Sequence, residues 1–153
     1  MKSWLGSWVH GKRPEAGSSF MVATSSDLGE VHGRDQQSLI FVYGSLKRGY
    51  ALHHLLEGQS FRGPATTCPL YRIFDLGSYP GLVDWPEGLA VQGEVYEVDA
   101  KCLKRLDEAE GVDEGLYARR VINLQPPFDR GETSAWFWLD KVGGLRDCGT
   151  SWP

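Results

Sequence analysis

Two short stretches carry the residues best suited to chemistry. In Phe41-Val42-Tyr43-Gly44-Ser45-Leu46 a strand-like run breaks on Gly44 and Ser45. Where a chain leaves a strand and bends, successive amides lose their sheet partners and can converge into a nest that accepts a carboxylate, phosphate or oxyanion. Glycine at such a bend lets a ligand approach the backbone closely. An ordinary strand-to-loop turn has the same local sequence, and both readings stay open at this point. The second stretch runs from Asp99 to Gly111. Asp99 stands where a helix wants its N-cap and Gly111 where a helix stops. Leu103 and Leu106 mark its inward stripe, and a step of four from Leu106 or seven from Leu103 lands on Glu110.

A carboxyl group on an apolar stripe has an unusual proton affinity. Partial burial disfavours its charged form, and the negative end of the helix dipole acts in the same direction. A carboxyl group raised toward neutrality takes up a proton and passes it on, as a general base that turns general acid must. The competing arrangement has Glu110 fraying outward at the helix end or pairing with Arg119 or Arg120. Tyr117, seven residues beyond Glu110 at the head of a strand, either orients a ligand by its hydroxyl or fills a half-buried strand position.

Other chemistries fit less well. The spacing Gly44-x4-Gly49 invites comparison with a phosphate loop, but Tyr50-Ala51 stands where Lys and Ser or Thr are required. Ser45 lies outside any GxSxG elbow and has no His or Asp at an interpretable spacing. Asp107, Glu108, Asp113 and Glu114 offer a second acid for a glycosidase-like pair without singling one out. Cys68, Cys102 and Cys148 are odd in number and lack a CxxC pair, which fits neither a disulfide framework nor a zinc site. The adjacent His53 and His54 would diverge by about 100° on a helix, so no metal is expected.

The elements that must position these residues follow from hydrophobic pattern. Strands are expected over 39–43, 68–77, 89–98, 117–124 and 134–140, with turns at 77–81, 84–88 and 126–132. Trp136 and Trp138 share one strand face and Phe137 and Leu139 the other, so both faces should be covered. A short helix is expected from Tyr50 to a glycine stop at Gly58, and a second from Asp99 to Gly111. Two helices are too few for alternating βαβ units, which predicts an α+β fold with a small, curled, mixed β-barrel-like sheet. Residues 1–38 mix Gly, Ser and charge without sustained period and read as a flexible or loosely docked arm. The domain is expected over 39–140, with a C-terminal tail over 141–153.

Length and charge bound the function. The 153 residues, 41% hydrophobic and 24% charged, suffice for one domain with a real core. Twenty acidic against sixteen basic residues leave a net charge of −4, which gives nucleic-acid binding no global support. No stretch has the length of a secretory signal or of a membrane span, so a soluble, cytoplasmic protein is expected.

Taken in order, "FVYGSLKRG", "FRGPATT", "LGSYPGLV", "VQGEVYEVD" and "LDEAEGVDEGLYARR" resemble the γ-glutamylcyclotransferase-like family, from about Leu39 to Leu139. The stretch "YGSLKRG" followed by histidines is most similar to its γ-glutamylamine cyclotransferase branch. The resemblance implies release of 5-oxoproline from a small γ-glutamyl substrate without a cofactor. It also implies that Glu110 is the catalytic glutamate, that Tyr43, Gly44, Ser45 and Leu46 form the substrate-binding corner, and that Tyr117 lines the pocket. A noncatalytic module binding a small carboxylate or a protein partner on the same fold is the alternative. It requires Glu110 to face solvent or to be locked to Arg119 or Arg120.

Overall fold

The first strand, β1 (Gln37–Val42), carries the apolar run Leu39-Ile40-Phe41-Val42, which alternates between two cores. Leu39, Phe41 and Tyr43 pack into one cluster, and Ile40 and Val42 into the other. The computed structural model describes residues 37–153. The arm expected over 1–38 lies outside the described residues, save Gln37 and Ser38, which open β1. Six further strands follow: β2 (Ser60–Thr66), β3 (Tyr71–Asp75), β4 (Pro80–Asp84), β5 (Gln92–Asp99), β6 (Tyr117–Ile122) and β7 (Thr133–Trp138). They form one mixed sheet in the order β2-β5-β1-β7-β4-β3, with β6 paired to β7.

The pairing of β7 shapes the molecule. Antiparallel β6 occupies one edge of β7 along its whole length, from Ile122↔Thr133 to Tyr117↔Trp138. Two strands therefore share the opposite edge: β1 pairs in parallel with the start of β7, at Leu39↔Thr133 and Ile40↔Ser134, and β4 pairs with it further on, at Leu82↔Phe137. The sheet forks between these contacts, and it does not close into a barrel. An isolated bridge, Thr67↔Leu124, ties the ends of β2 and β6 together.

One helix, α1 (Ala100–Ala109), covers the face of the sheet that carries Ile40, Val42 and Trp136. Asp99 caps it by accepting the amide of Cys102 at 2.8 Å. Cys102 and Leu106, both fully buried, join the aliphatic side chains of β1 beneath it. Burying a leucine this way contributes about 1.5–3 kcal/mol. The other helix expected, Tyr50 to Gly58, is a single 3-10 turn over His53–Leu56. Its bonds all reach back three residues, His53 N–H to Tyr50, Leu55 to Leu52, Glu57 to His54. The amide of Leu52 is bound to Ser45 O at 2.9 Å, so the segment folds back on the preceding corner instead of propagating as a helix.

Five strands lie where expected, with ends moved by a few residues. The hydrophobic pattern predicts neither β2 nor β4. β2 is an edge strand in which a register shift between Phe61 and Gly63 and the presence of Pro64 break the alternation. Pro80 and Gly81 open β4, and both read locally as turn residues. The segment after Asp140 lies along the sheet: Arg146 O accepts the amide of Asp75, the amide of Cys148 binds Ile73 O, and Thr150 O accepts from Gln92.

Candidate active site

The last paired residue of β1 is Val42, opposite Glu94, and the chain turns away immediately after it. All three carbonyls of the turn have partners. Gly44 O accepts from Lys47 N–H at 3.0 Å, Ser45 O from Leu52 N–H at 2.9 Å, and Leu46 O from the ring Nδ1 of His53 at 3.0 Å. Among the described residues, the amides of Gly44, Ser45 and Leu46 donate to no acceptor. A backbone whose acceptors are spent and whose donors are free is a ready-made anion cradle. Gly44 is required by contact: a Cβ there would stand 2.5 Å from Pro80 Cγ.

At the far end of α1, Glu110 is the C-cap residue. Gly111, at φ +71°, follows in the left-handed conformation. The amide of Gly111 binds Glu108 O and that of Val112 binds Asp107 O, the paired bonds of a Schellman motif. This closure stops the helix at the residue that the inward stripe brings to the cavity. Glu110 and residues 43–46 line one cavity of about 120 Å³, together with Tyr117, Trp136, Tyr79, Pro80 and Leu116. The two arginines that the competing arrangement pairs with Glu110 are engaged elsewhere: Arg119 with Asp107 at 2.9 Å and Arg120 with Asp84 at 3.0 Å. Burial, and then the charge of Asp107, raise the Glu110 carboxyl from an ordinary 4.5 to about 7. Its place at the negative end of the helix acts in the same direction.

Two tyrosines span the fork of the sheet at this point. Tyr43 donates its hydroxyl to Trp136 O at 2.6 Å, and Tyr117 donates to Pro80 O at 2.8 Å. Burial, with the neighbouring phenol and Glu110, pushes Tyr43 well above its usual range. Burial and Glu110 do the same to Tyr117. Both stay neutral phenols with their protons committed to carbonyls; toward a ligand Tyr117 offers its oxygen and its ring, and Tyr43, whose oxygen also meets the Leu82 backbone, offers its ring.

The cavity thus gathers Tyr43, Gly44, Ser45, Leu46, Glu110 and Tyr117. Pattern reading had no means of placing Trp136, Tyr79 and Pro80 beside them, since they reach the cavity only through the fork. Asp107 did carry a signal, its i, i+3 spacing from Glu110. Among the described residues Glu110 is the one carboxyl group lining the cavity, which removes the paired acids of a glycosidase. His53 and His54 turn their Nδ1 atoms to the carbonyls of Leu46 and Ala51. No helix among the described residues is long and apolar enough to cross a membrane.

Fold and site together define a class. The structure matches the crystal structure of an AIG2-like protein from Mus musculus with a TM-score of 0.68 and 28% identity, covering 77% of this chain and 89% of that one. The family described as gamma-glutamyl cyclotransferase, AIG2-like, matches residues 40–150, and this chain belongs to it. The match includes the resembling stretch almost entirely and continues ten residues past Asp140. Over 101 residues the chain is 38% identical to the gamma-glutamylaminecyclotransferase of Homo sapiens, covering 61% of this chain and 65% of that protein. Over 103 residues it is 40% identical to a Vibrio cholerae protein provisionally named gamma-glutamylcyclotransferase, covering 67% of this chain and 82% of the other. This membership supports a γ-glutamyl cyclotransferase function.

Proposed function

We propose that this chain cyclises a γ-glutamyl amine or γ-glutamyl amino acid, releasing 5-oxoproline and a free amine, with Glu110 as general base and then general acid. The observation that carries the reading is a carboxyl group with no partner among the described residues, lining the same cavity as Gly44, Ser45 and Leu46, whose amides meet no acceptor among those residues.

In a γ-glutamyl amide the α-amino nitrogen attacks the γ-carbonyl of the same molecule, so catalysis consists of folding the substrate, removing a proton and stabilising an oxyanion. The ionised Glu110 takes a proton from the α-ammonium group. The freed nitrogen forms the new N–C bond, the C–N bond to the leaving amine breaks, and protonated Glu110 returns a proton to that amine. The ammonium loses two protons in becoming the lactam N–H, and the leaving amine gains two in becoming an ammonium, so the reaction is proton-neutral overall. The amides of Gly44, Ser45 and Leu46 hold a negatively charged oxygen of the substrate, its α-carboxylate or the oxyanion. Tyr43 and Tyr117 form aromatic walls. At about 120 Å³ the cavity is well below the roughly 300–1,000 Å³ that encloses a drug-sized ligand, which suits the γ-glutamyl head alone. The leaving amine then lies at the mouth, beside the exposed Tyr79 and Leu116. The chemistry asks for no cofactor, and a reducing cytoplasm suits three free cysteines.

The test is 5-oxoproline release from a panel of γ-glutamyl amines, γ-glutamyl amino acids and glutathione. Glu110→Gln keeps the shape and removes the base, and kcat should fall on the order of 10²–10⁴-fold. Because the base must be ionised, kcat/KM should rise with pH through about 7. Undiminished turnover in the variant would remove Glu110 from the mechanism.

A further inference from the structure

Asp107 lies three residues before Glu110, one turn back on the same side of α1. Its Oδ1 accepts from Trp136 Nε1 at 2.8 Å and from Arg119 Nε at 2.9 Å, and its Oδ2 from Arg119 Nη2 at 3.1 Å. Its backbone carbonyl accepts the Val112 amide that closes the helix, at 3.0 Å. One residue therefore binds the last turn of α1 to both β6 and β7. The β7 partner, Trp136, is itself a wall of the cavity. A bidentate guanidinium–carboxylate pair with an indole donor on the same oxygen is far more specific than an isolated surface ion pair.

We propose that Asp107 and Arg119 are a positioning pair that locks the end of α1, and Glu110 with it, onto the Trp136 wall, and that the balance of their two charges sets the working pH of the reaction. The inference rests on Glu110 being the base of the reaction proposed above. Among the described residues, the groups that share the cavity with Glu110 or stand beside it are few. Asp107 stands on its own helix, Tyr43 and Ser45 come from the corner after β1, and Tyr79 from the lead into β4. Tyr117 comes from β6 with Arg119 behind Asp107, the Trp136 indole comes from β7, and Leu52 comes from the 3-10 segment. Asp113 and Glu114, in the loop after the helix, are exposed. Asp107 is thus the charged neighbour of Glu110 on its own helix, Arg119 is bound directly to it, and their signs oppose one another.

Removing one partner leaves the other uncompensated, so the two substitutions should act in opposite directions. Asp107→Asn deletes the charge that resists ionisation of Glu110 and leaves a cation, and the ascending limb of kcat/KM should move to lower pH by about half a unit or more. Arg119→Gln leaves the anion alone, and the limb should move to higher pH by a smaller amount, since Arg119 stands behind Asp107, with Arg119→Lys returning toward wild type. A role confined to structure would shift neither limb, or both the same way, and either result overturns the proposal. The same direction is read without catalysis from a carboxyl 13C NMR titration of Glu110, its signal assigned by loss in Glu110→Gln. If wild type releases no 5-oxoproline, the reaction proposed above fails while the titration still decides the pair. Should Asp107→Asn not fold, the direction of the Arg119→Gln shift alone decides it.

Discussion

A half-buried carboxyl group with no partner among the described residues works against the fold that holds it. The folded protein raises Glu110 from 4.5 to about 7, so folding favours its protonated form. That favourable state is fully present below the unfolded value near 4.3 and is lost as pH rises through 7. Ionised Glu110 therefore destabilises the protein at pH 8, by up to about 3 kcal/mol. Glu110→Gln should melt higher than wild type at pH 8, and the gap should close near pH 4.5. Thermal melts at the two pH values check this, and a gap of constant size would show that Glu110 is not strained by its charge. At this scale the stripe through Leu103 and Leu106 already pointed to Glu110. What helix periodicity left open was the fate of Arg119 and Arg120, because the acids that engage them, Asp107 and Asp84, meet them only after β6 and β4 are assembled.

The element that matters most is the closed end of α1. Gly111 adopts φ +71°, and a Cβ there would approach Leu116 Cδ1 to 2.7 Å. Gly111→Ala should cost about 1–2 kcal/mol for the left-handed backbone alone, and the contact adds to it. The Schellman bonds that follow from this glycine also hold Glu110 at its angle, so kcat should drop more than KM changes. Urea unfolding together with steady-state kinetics measures both, and a stable variant with unaltered kcat would show that the helix end need not be fixed. Caps and stripe made this helix legible from sequence. The 3-10 segment was less so, since its Leu52, Leu55 and Leu56 spacing suits either helix type, and the bond from Leu52 to Ser45 that ends its growth is invisible to periodicity. Gly81 shows why β4 escaped: a Cβ there would meet Trp138 at 2.9 Å, so the strand requires a residue that resembles a turn.

Across the whole molecule, the cavity exists because β7 changes partners along one edge, from β1 to β4. The Tyr43 hydroxyl binds the Trp136 carbonyl at this fork. Tyr43→Phe strands that carbonyl in a buried place, which should cost about 1–3 kcal/mol and lower kcat/KM as the walls lose register. A variant as stable as wild type would mean that the fork is held by packing alone. The sequence by itself determined the α+β class, the strand at Leu39–Tyr43, the capped helix with Glu110 on its inward side, and a bend at Gly44 able to present free amides. These are properties of a few consecutive residues, governed by periodicity, caps and turn chemistry. Only the tertiary structure decided that the sheet forks instead of closing, that the bend and the helix end line one cavity, and that Asp107 takes Arg119 away from Glu110. Those outcomes rest on contacts between residues far apart in the chain, whose geometry arises only when seven strands share one sheet.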